Sequence, residues 1–452
     1  MQGWGQHSDA VEMLRASWAA IPADAPVRLA KRTSNLFRPR ARHDAPGLDV
    51  SGLDGVIAID PAARTADVQG MCTYERLVDE TLAHGLMPTV VPQLRTITLG
   101  GAVTGLGIES TSLRLGLPHE AVLEMDVLTG SGEIVTATPD NEHADLFRAF
   151  PNSYGSLGYA VRLRIALQDA PRQVRLRHVR FDGGAEAAKA IAEIARTGTW
   201  DGIAVDAVDG TAFAPDEVYL SLAAFADTDL PTSDYTGPDV YYRSIQQRHE
   251  DVLTTYDYLW RWDTDWFWCS AAFGAQHPLV RRVWPRRWRR SDVYHRLLGL
   301  DASVGLSRVL DRARGVPGRE KVIQDIEVPL ERLEEFLTWF DREVGMRPVW
   351  LCPLRTQQAW PTYPLVPGEV YVNVGFWGTV VVPPDSPPGA VNRRVEDAVH
   401  ALDGHKSLYS EAFYDRSTFD SLYDTAGLDR VRERYDPQSR LSTLYDKAVR
   451  NS

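Results

Sequence analysis

Two stretches concentrate the groups able to do chemistry. TLGGAVTGLGIESTS, Thr98 to Ser112, packs four glycines and five hydroxyls around one carboxylate, Glu109. Backbone without Cβ atoms can curl its N–H groups into a nest for a diphosphate, and hydroxyls stabilise anionic oxygens without adding full charge. Gly100, Gly101, Gly105 and Gly107, with neighbouring Thr98, Thr104, Ser110, Thr111 and Ser112, are the candidates. A plainer reading makes the same glycines bends in a β-rich domain. Neither GxxxxGK[ST] nor a strand–GxGxxG–helix context is present, so neither P-loop nor Rossmann binding is supported. The second stretch is GHKSLYSEAFYDR, where His405, Lys406, Tyr409, Glu411 and Tyr414 are groups that donate a proton once their pKa is tuned. Taken singly, each reads more simply as a solvated residue or the outer face of a strand.

The elements that must position these groups follow from periodicity. VIAIDP and TADVQGM are strands around a turn, YERLVDETLAHGL is helical to near Gly85, and AVLEMDVLTGSGEIVTATP is a hairpin whose GSG centre permits positive φ. YAVRLRIAL and QVRLRHVRF alternate, and GGAEAAKAIAEIART is a helix. KVIQDIEVPLERLEEFLTWFDREVG turns from strand to helix, and VWLCPLR and VYVNVGFWG are buried strands. This order predicts an α+β protein whose second domain is an antiparallel sheet covered by helices. Trp350, Cys352 and Arg355 share a side if Pro353 introduces a bulge, while Tyr371, Asn373, Gly375 and Trp377 alternate on one face. Those faces either line a pocket whose rings hold an apolar chain and stabilise cationic character, or form plain core.

At 452 residues the chain exceeds what one core usually serves. The divisions expected are 1–170, 171–392 and a C-terminal segment, 393–452, that closes the site and packs back on the first domain. A net charge of −12 argues against general nucleic-acid affinity. Cys72, Cys269 and Cys352 are odd in number, widely separated and without metal-site spacing, which fits free thiols in a reducing compartment. No metal is expected. The N-terminus lacks the basic-then-apolar order of a signal peptide, and no apolar run reaches the ~18 residues of a membrane span, so the expectation is a cytoplasmic protein. Residues 260–298 interleave tryptophan with Arg281, Arg282, Arg286, Arg287, Arg289 and Arg290. Such a mixture suits peripheral contact with the inner membrane surface; the plainer reading is arginines paired with the protein's own carboxylates, and nucleic acid ranks last.

Four segments in fixed order carry a resemblance: RLAKRTSNLF, the run from Gly55 to Gly101, GLPHEAVLEMDVLTGSGEIVTATP and NSYGSLGYAVRL. Over roughly residues 25–170 they resemble the FAD-binding domain of the vanillyl-alcohol oxidase superfamily, the PCMH-type fold. PVWLCPLR, VYVNVGFWG and HKSLYSEAFYDRSTFDSLYD extend the likeness over most of the chain, to the 24-dehydrocholesterol reductase (seladin/Diminuto) family. The resemblance implies a pyrophosphate loop at Lys31, Arg32, Thr33, Ser34 and Asn35. That loop has no histidine where many relatives attach flavin, which implies non-covalent FAD. Pro92, Thr98, Gly100, Gly101, Gly105, Gly107, Ile108, Glu109 and Ser112 would run along the cofactor. Glu120 and Ala121 would meet its adenosine end, and Gly155, Gly158 and Val161 the last cofactor-contacting turn and strand. It further implies reduction, or reversible dehydrogenation, of a C=C bond in an apolar sterol-like or isoprenoid substrate, with Tyr409, Lys406, Glu411 or His405 as acid. Trp350, Cys352, Arg355, Asn373 and Trp377 would then touch substrate. NADPH is a candidate electron donor, although no separate nicotinamide site is legible. An alcohol or sugar oxidase and a non-catalytic flavin-binding protein are the alternatives.

Overall fold

The computed structural model describes residues 1–31, 37–38, 46–105, 107–304 and 318–450. Alternation builds the first sheet: β1 (Val56–Asp60), β2 (Thr65–Gln69), β3 (Leu86–Pro88), β4 (Val122–Leu128), β5 (Ile134–Ala137) and β6 (Tyr159–Asp169). The order is β1-β2-β6-β4-β5, with β3 on the far part of β6 and every pairing antiparallel. Long β6 is the hub because Leu163, Ile165 and Leu167 enter the main core while Val161 joins a smaller cluster under the helix Gly3–Ala19.

The chain crosses to the second sheet between Asp169 and Gln173. That sheet contains β7 (Gln173–Phe181), β10 (Ala207–Ala214), β11 (Glu217–Ala226), β12 (Glu250–Thr254), β13 (Arg319–Pro329), β14 (Val349–Leu354), β15 (Tyr371–Val381) and β16 (His405–Lys406), while β8 (Thr199–Trp200) and β9 (Ile203–Ala204) form a separate small hairpin. Its order is β12-β7-β11-β10-β14-β15-β13-β16. The helices Gly184–Thr197, Leu333–Glu343 and Ala390–Ala401 cover one face, burying Val349, Leu351, Val372, Val374 and Phe376 against Ile191, Phe340 and Val395. The period of two turns Trp350, Cys352 and Leu354 to the opposite face, where they join the core of the first domain. Pairing of β14 with β15 runs in unbroken register from Trp350–Gly375 to Leu354–Tyr371, so Pro353 makes no bulge, contrary to the expectation above.

The C-terminal segment stitches the molecule together. The Val27 amide donates to the Arg440 carbonyl at 2.8 Å, Ser131 to Tyr435 at 3.0 Å, and Lys447 Nζ to the Gly155 carbonyl at 2.9 Å.

One close approach should dominate local stability. A Cβ on Gly100 would sit 2.6 Å from the Gly70 carbonyl oxygen, and the Gly100 amide donates to that same carbonyl at 2.9 Å. Gly100→Ala should therefore lower the unfolding free energy measured in urea by about 1–3 kcal/mol, the cost of overpacking against backbone.

Candidate active site

Between the two sheets lies a cavity of about 1390 Å³, counting its open mouth. The glycine stretch forms one wall. It is partly helical: Thr98 caps the helix Leu99–Thr104 by accepting from the Gly101 amide at 3.2 Å, and Lys31 Nζ donates to the Thr98 hydroxyl at 3.0 Å. A side chain at Gly105 would meet the Gly101 carbonyl at 2.7 Å, and one at Gly107 would meet Pro92 and Pro118 at 2.8 Å. Lys31, Pro92, Thr98, Gly101, Gly105, Gly107, Ile108 and Gly155 all line the cavity, and Arg38 adds a second cation. Bare backbone beside an ammonium and a hydroxyl suits a diphosphate. These residues fit the pyrophosphate of FAD, and the cavity continues beyond them.

Trp266, Phe267, Trp350 and Trp377 form an aromatic wall from the second domain. Phe267 packs 4.4 Å from Trp377 and 5.5 Å from Trp350, centroid to centroid. Asp325 and Tyr409 share this part of the cavity. Trp377 Nε1 donates to the Tyr409 hydroxyl at 2.8 Å, and Asn373 Nδ2 to Asp325 Oδ1 at 3.1 Å. Burial pushes the Asp325 carboxyl up to about 7, opposed by hydrogen bonds from Asn373 and Tyr409. Gly375, opposite Asp325 in the register, makes room for it: a Cβ there would lie 2.4 Å from Oδ1 and 2.7 Å from the Trp377 ring. Glu327, two residues along β13, is fully buried; burial and then the charge of Asp325 hold its pKa well above normal, opposed by a hydrogen bond from Tyr363.

Behind the wall, the buried Arg261 joins the domains. Its Nη2 donates to Glu109 Oε1 at 3.2 Å and to Asp209 Oδ2 at 3.1 Å, while its guanidinium stacks 4.0 Å from the Tyr258 centroid. Asp209 also accepts from Trp262 Nε1 at 2.7 Å and Trp350 Nε1 at 3.1 Å. Glu109 accepts from Gln93 and Ser110. The carboxylate expected along the cofactor is engaged in this network, and Ser112 accompanies it by accepting from the Glu109 amide at 3.1 Å.

Other expected residues are dispersed. Arg32, Thr33, Ser34 and Asn35 lie outside the described residues. Gly100 faces Gly70, Gly158 faces the Leu128 carbonyl, and Val161 is core, so none of them forms the cavity wall. Glu120, beside Ala121, accepts from the Gln357 amide at 2.7 Å and Trp360 Nε1 at 3.2 Å, bracing the domains away from the cavity. Of the proton-donor cluster only Tyr409, in the turn that follows β16, reaches the cavity. His405 is buried against Tyr363 and Tyr423, and burial pushes its imidazole down to about 3. Lys406 is buried on Glu396 at 2.8 Å and also donates to the Glu411 carbonyl, leaving Glu411 off the wall. Cys352 is fully buried in the core, Asn373 acts through Asp325, and Arg355 lines a separate pocket with Ser110 and Leu113. Asp325 and Glu327 were not anticipated, although QDIEVP shows them alternating with Ile326 and Val328.

Residues 8–138 match the model of a family described as an FAD binding domain. Delta(24)-sterol reductase of Homo sapiens is 25% identical over 420 residues, covering 87% of this chain and 75% of its own. The Arabidopsis thaliana delta(24)-sterol reductase is 24% identical over 452 residues, covering 92% and 78%. Cytokinin dehydrogenase 6 of Oryza sativa subsp. japonica is 39% identical over 114 residues, 25% of this chain and 21% of its own. The fold and cradle thus define an FAD-dependent oxidoreductase of the PCMH type. Within that class, the chain is similar over most of its length to the delta(24)-sterol reductases. Among the described residues no helix is long and apolar enough to cross a membrane.

Two outcomes test this geometry. Lys31→Met should weaken FAD binding by roughly tenfold or more, read by fluorescence titration, as loss of a charge-assisted contact predicts. Arg261→Met strands two buried carboxylates and should cost about 3–5 kcal/mol in denaturant. Without the guanidinium, the raised pKa of Glu109 rises further, so the folded state binds more protons than the unfolded one and the loss should grow as pH rises from about 4 to neutrality.

Proposed function

We propose that the protein uses FAD to reduce a carbon–carbon double bond in a sterol-like or isoprenoid side chain, with NADPH as the source of electrons. The observation that carries this reading is a partly buried acid, Asp325, set among aromatic rings in the same cavity as the glycine cradle. The printed names of relatives matching most of the chain support the substrate class.

Hydrogenation of an unactivated alkene requires hydride on one carbon and a proton on the other, because no carbonyl accepts the developing charge. Reduced flavin, when bound, supplies hydride. The chain supplies the proton and the setting. The Asp325 carboxyl holds the proton to be delivered to the second carbon, and Asn373 fixes its orientation through Oδ1. Tyr409, anchored by the Trp377 indole, hydrogen-bonds to the same carboxyl. Trp266, Phe267, Trp350 and Trp377 exclude water, pack against an apolar chain and stabilise positive character at the carbon receiving hydride.

Anaerobic stopped-flow absorbance tests the reading. NADPH should bleach the flavin, and a sterol or prenyl alkene should restore its colour with a product two hydrogens heavier. Bleaching by an alcohol or sugar would instead establish an oxidase or dehydrogenase, and a flavin inert to all of them a binding protein. Asp325→Asn should slow alkene-dependent reoxidation by about 10²–10⁴-fold while sparing bleaching by NADPH. Because the protonated form is the one required, the wild-type rate should fall as pH rises through about 7, and Asp325→Asn should abolish that inflection.

A further inference from the structure

The structure sorts the arginine- and tryptophan-rich region into two sets. Arg281 is buried with its Nη1 donating to Asp265 Oδ1 at 2.6 Å, Arg289 is buried and donates to the Thr236 and Gly237 carbonyls, and Arg290 donates to Glu75 Oε2 at 2.7 Å. Trp260 and Trp262 are core, and Trp266 lines the cavity. What remains outward is a ridge made by the helix Pro278–Val283 and the turn Arg286–Trp288. On it Leu279, Val283 and Trp288 are 71%, 79% and 47% exposed, which for large apolar side chains calls for a partner. Arg282, Arg286 and Arg287 are exposed among them. Arg286 meets Asp234 only at an exposed site, and among the described residues no carboxylate pairs with Arg282 or Arg287.

We infer that this ridge docks the protein onto an anionic lipid bilayer. Leu279 and Val283, four apart on one helix, present a common apolar face that enters the headgroup–acyl boundary, where a tryptophan such as Trp288 is also at home. The three guanidiniums meet lipid phosphates, compensating cations that the acidic body of the protein leaves unmatched. A second copy of the chain fits less well: a twofold interface buries the same patch from both subunits, so it would bring two arginine-bearing ridges together without a carboxylate of the ridge to match them. A nucleic-acid backbone satisfies the arginines but leaves Leu279 and Val283 in water. Arg281 roots the ridge in Asp265, the neighbour of Trp266, so the docking surface and the cavity wall belong to one continuous segment. The docking itself stands apart from the reaction proposed above, because it is read without turnover.

Co-sedimentation of the full-length protein with phosphatidylcholine vesicles, with and without phosphatidylglycerol, tests it. Binding should require phosphatidylglycerol and weaken as salt is raised. Arg282→Gln with Arg287→Gln should lower the partition coefficient on the order of tenfold or more, at about fivefold for each arginine. Leu279→Ser with Val283→Ser should lower it about tenfold, and Trp288→Ser offers an independent exposed site should that pair misfold. All variants should keep the wild-type circular dichroism and sedimentation coefficient. Wild-type protein that stays in the supernatant, variants that bind as wild type does, or a dimer that Leu279→Ser with Val283→Ser dissociates would each overturn the inference.

Discussion

One buried guanidinium must satisfy carboxylates from two domains, and the cavity is built around that demand. Arg261 reaches Glu109 from the glycine stretch and Asp209 from β10, and neither carboxylate has access to water. A buried ion pair adds little net stability over a well-packed apolar filling. Its effect here is on arrangement, since any other seating of the domains leaves a dry, uncompensated charge. Asp209 passes the constraint on by accepting from the Trp350 indole, which stands in the cavity wall. Glu109 does the same through Gln93, which lines the cavity opposite. The charge network is therefore the frame on which the glycine cradle and the aromatic wall face each other.

Within that frame the cavity is chemically uneven. Lys31 and Arg38 give its cradle region a positive potential suited to phosphate. The β13 side carries two carboxyl groups on one face, and two like groups this close in a dry setting resist ionising together. Glu327, the more deeply buried, is the one held more firmly in the neutral form, which leaves Asp325 as the group that exchanges protons near neutrality. Gly375 explains how a carboxyl and an indole occupy the same small volume: the strand opposite gives up its side chain at the position that faces them.

Local patterns were legible where the chain's neighbours in sequence are also its neighbours in space. The strands of β1, β2, β6, β7 and β15, the helix from Tyr74 and the glycine stretch belong to this kind. Even so, the glycines proved to have different tasks, Gly100 for backbone approach and Gly101 and Gly105 for the cavity, and only tertiary contacts separate them. The proton donors were harder. His405, Lys406, Tyr409 and Glu411 crowd together in sequence, yet strand geometry sends His405 into a tyrosine nest and Lys406 onto Glu396, leaving Tyr409 at the site. Asp325 is some eighty residues earlier and looks like any polar residue in a strand until its face is known. The arginine-rich region divides for the same reason: the carboxylate that claims Arg290 is Glu75, 215 residues away.

The wall of the cavity includes Ser407 and Tyr409, the last of its residues to leave the ribosome. Everything else that lines it is synthesised earlier, and Lys447 is made later still before it can tie down the turn at Gly155. At ordinary translation rates of about 5–20 residues per second, a nascent chain carrying the complete glycine stretch must wait on the order of 15 seconds or more for its opposite wall. Dinucleotide capture in a completed cavity is thus deferred until Tyr409 has emerged, and a product terminated before it would present the cradle with one side missing.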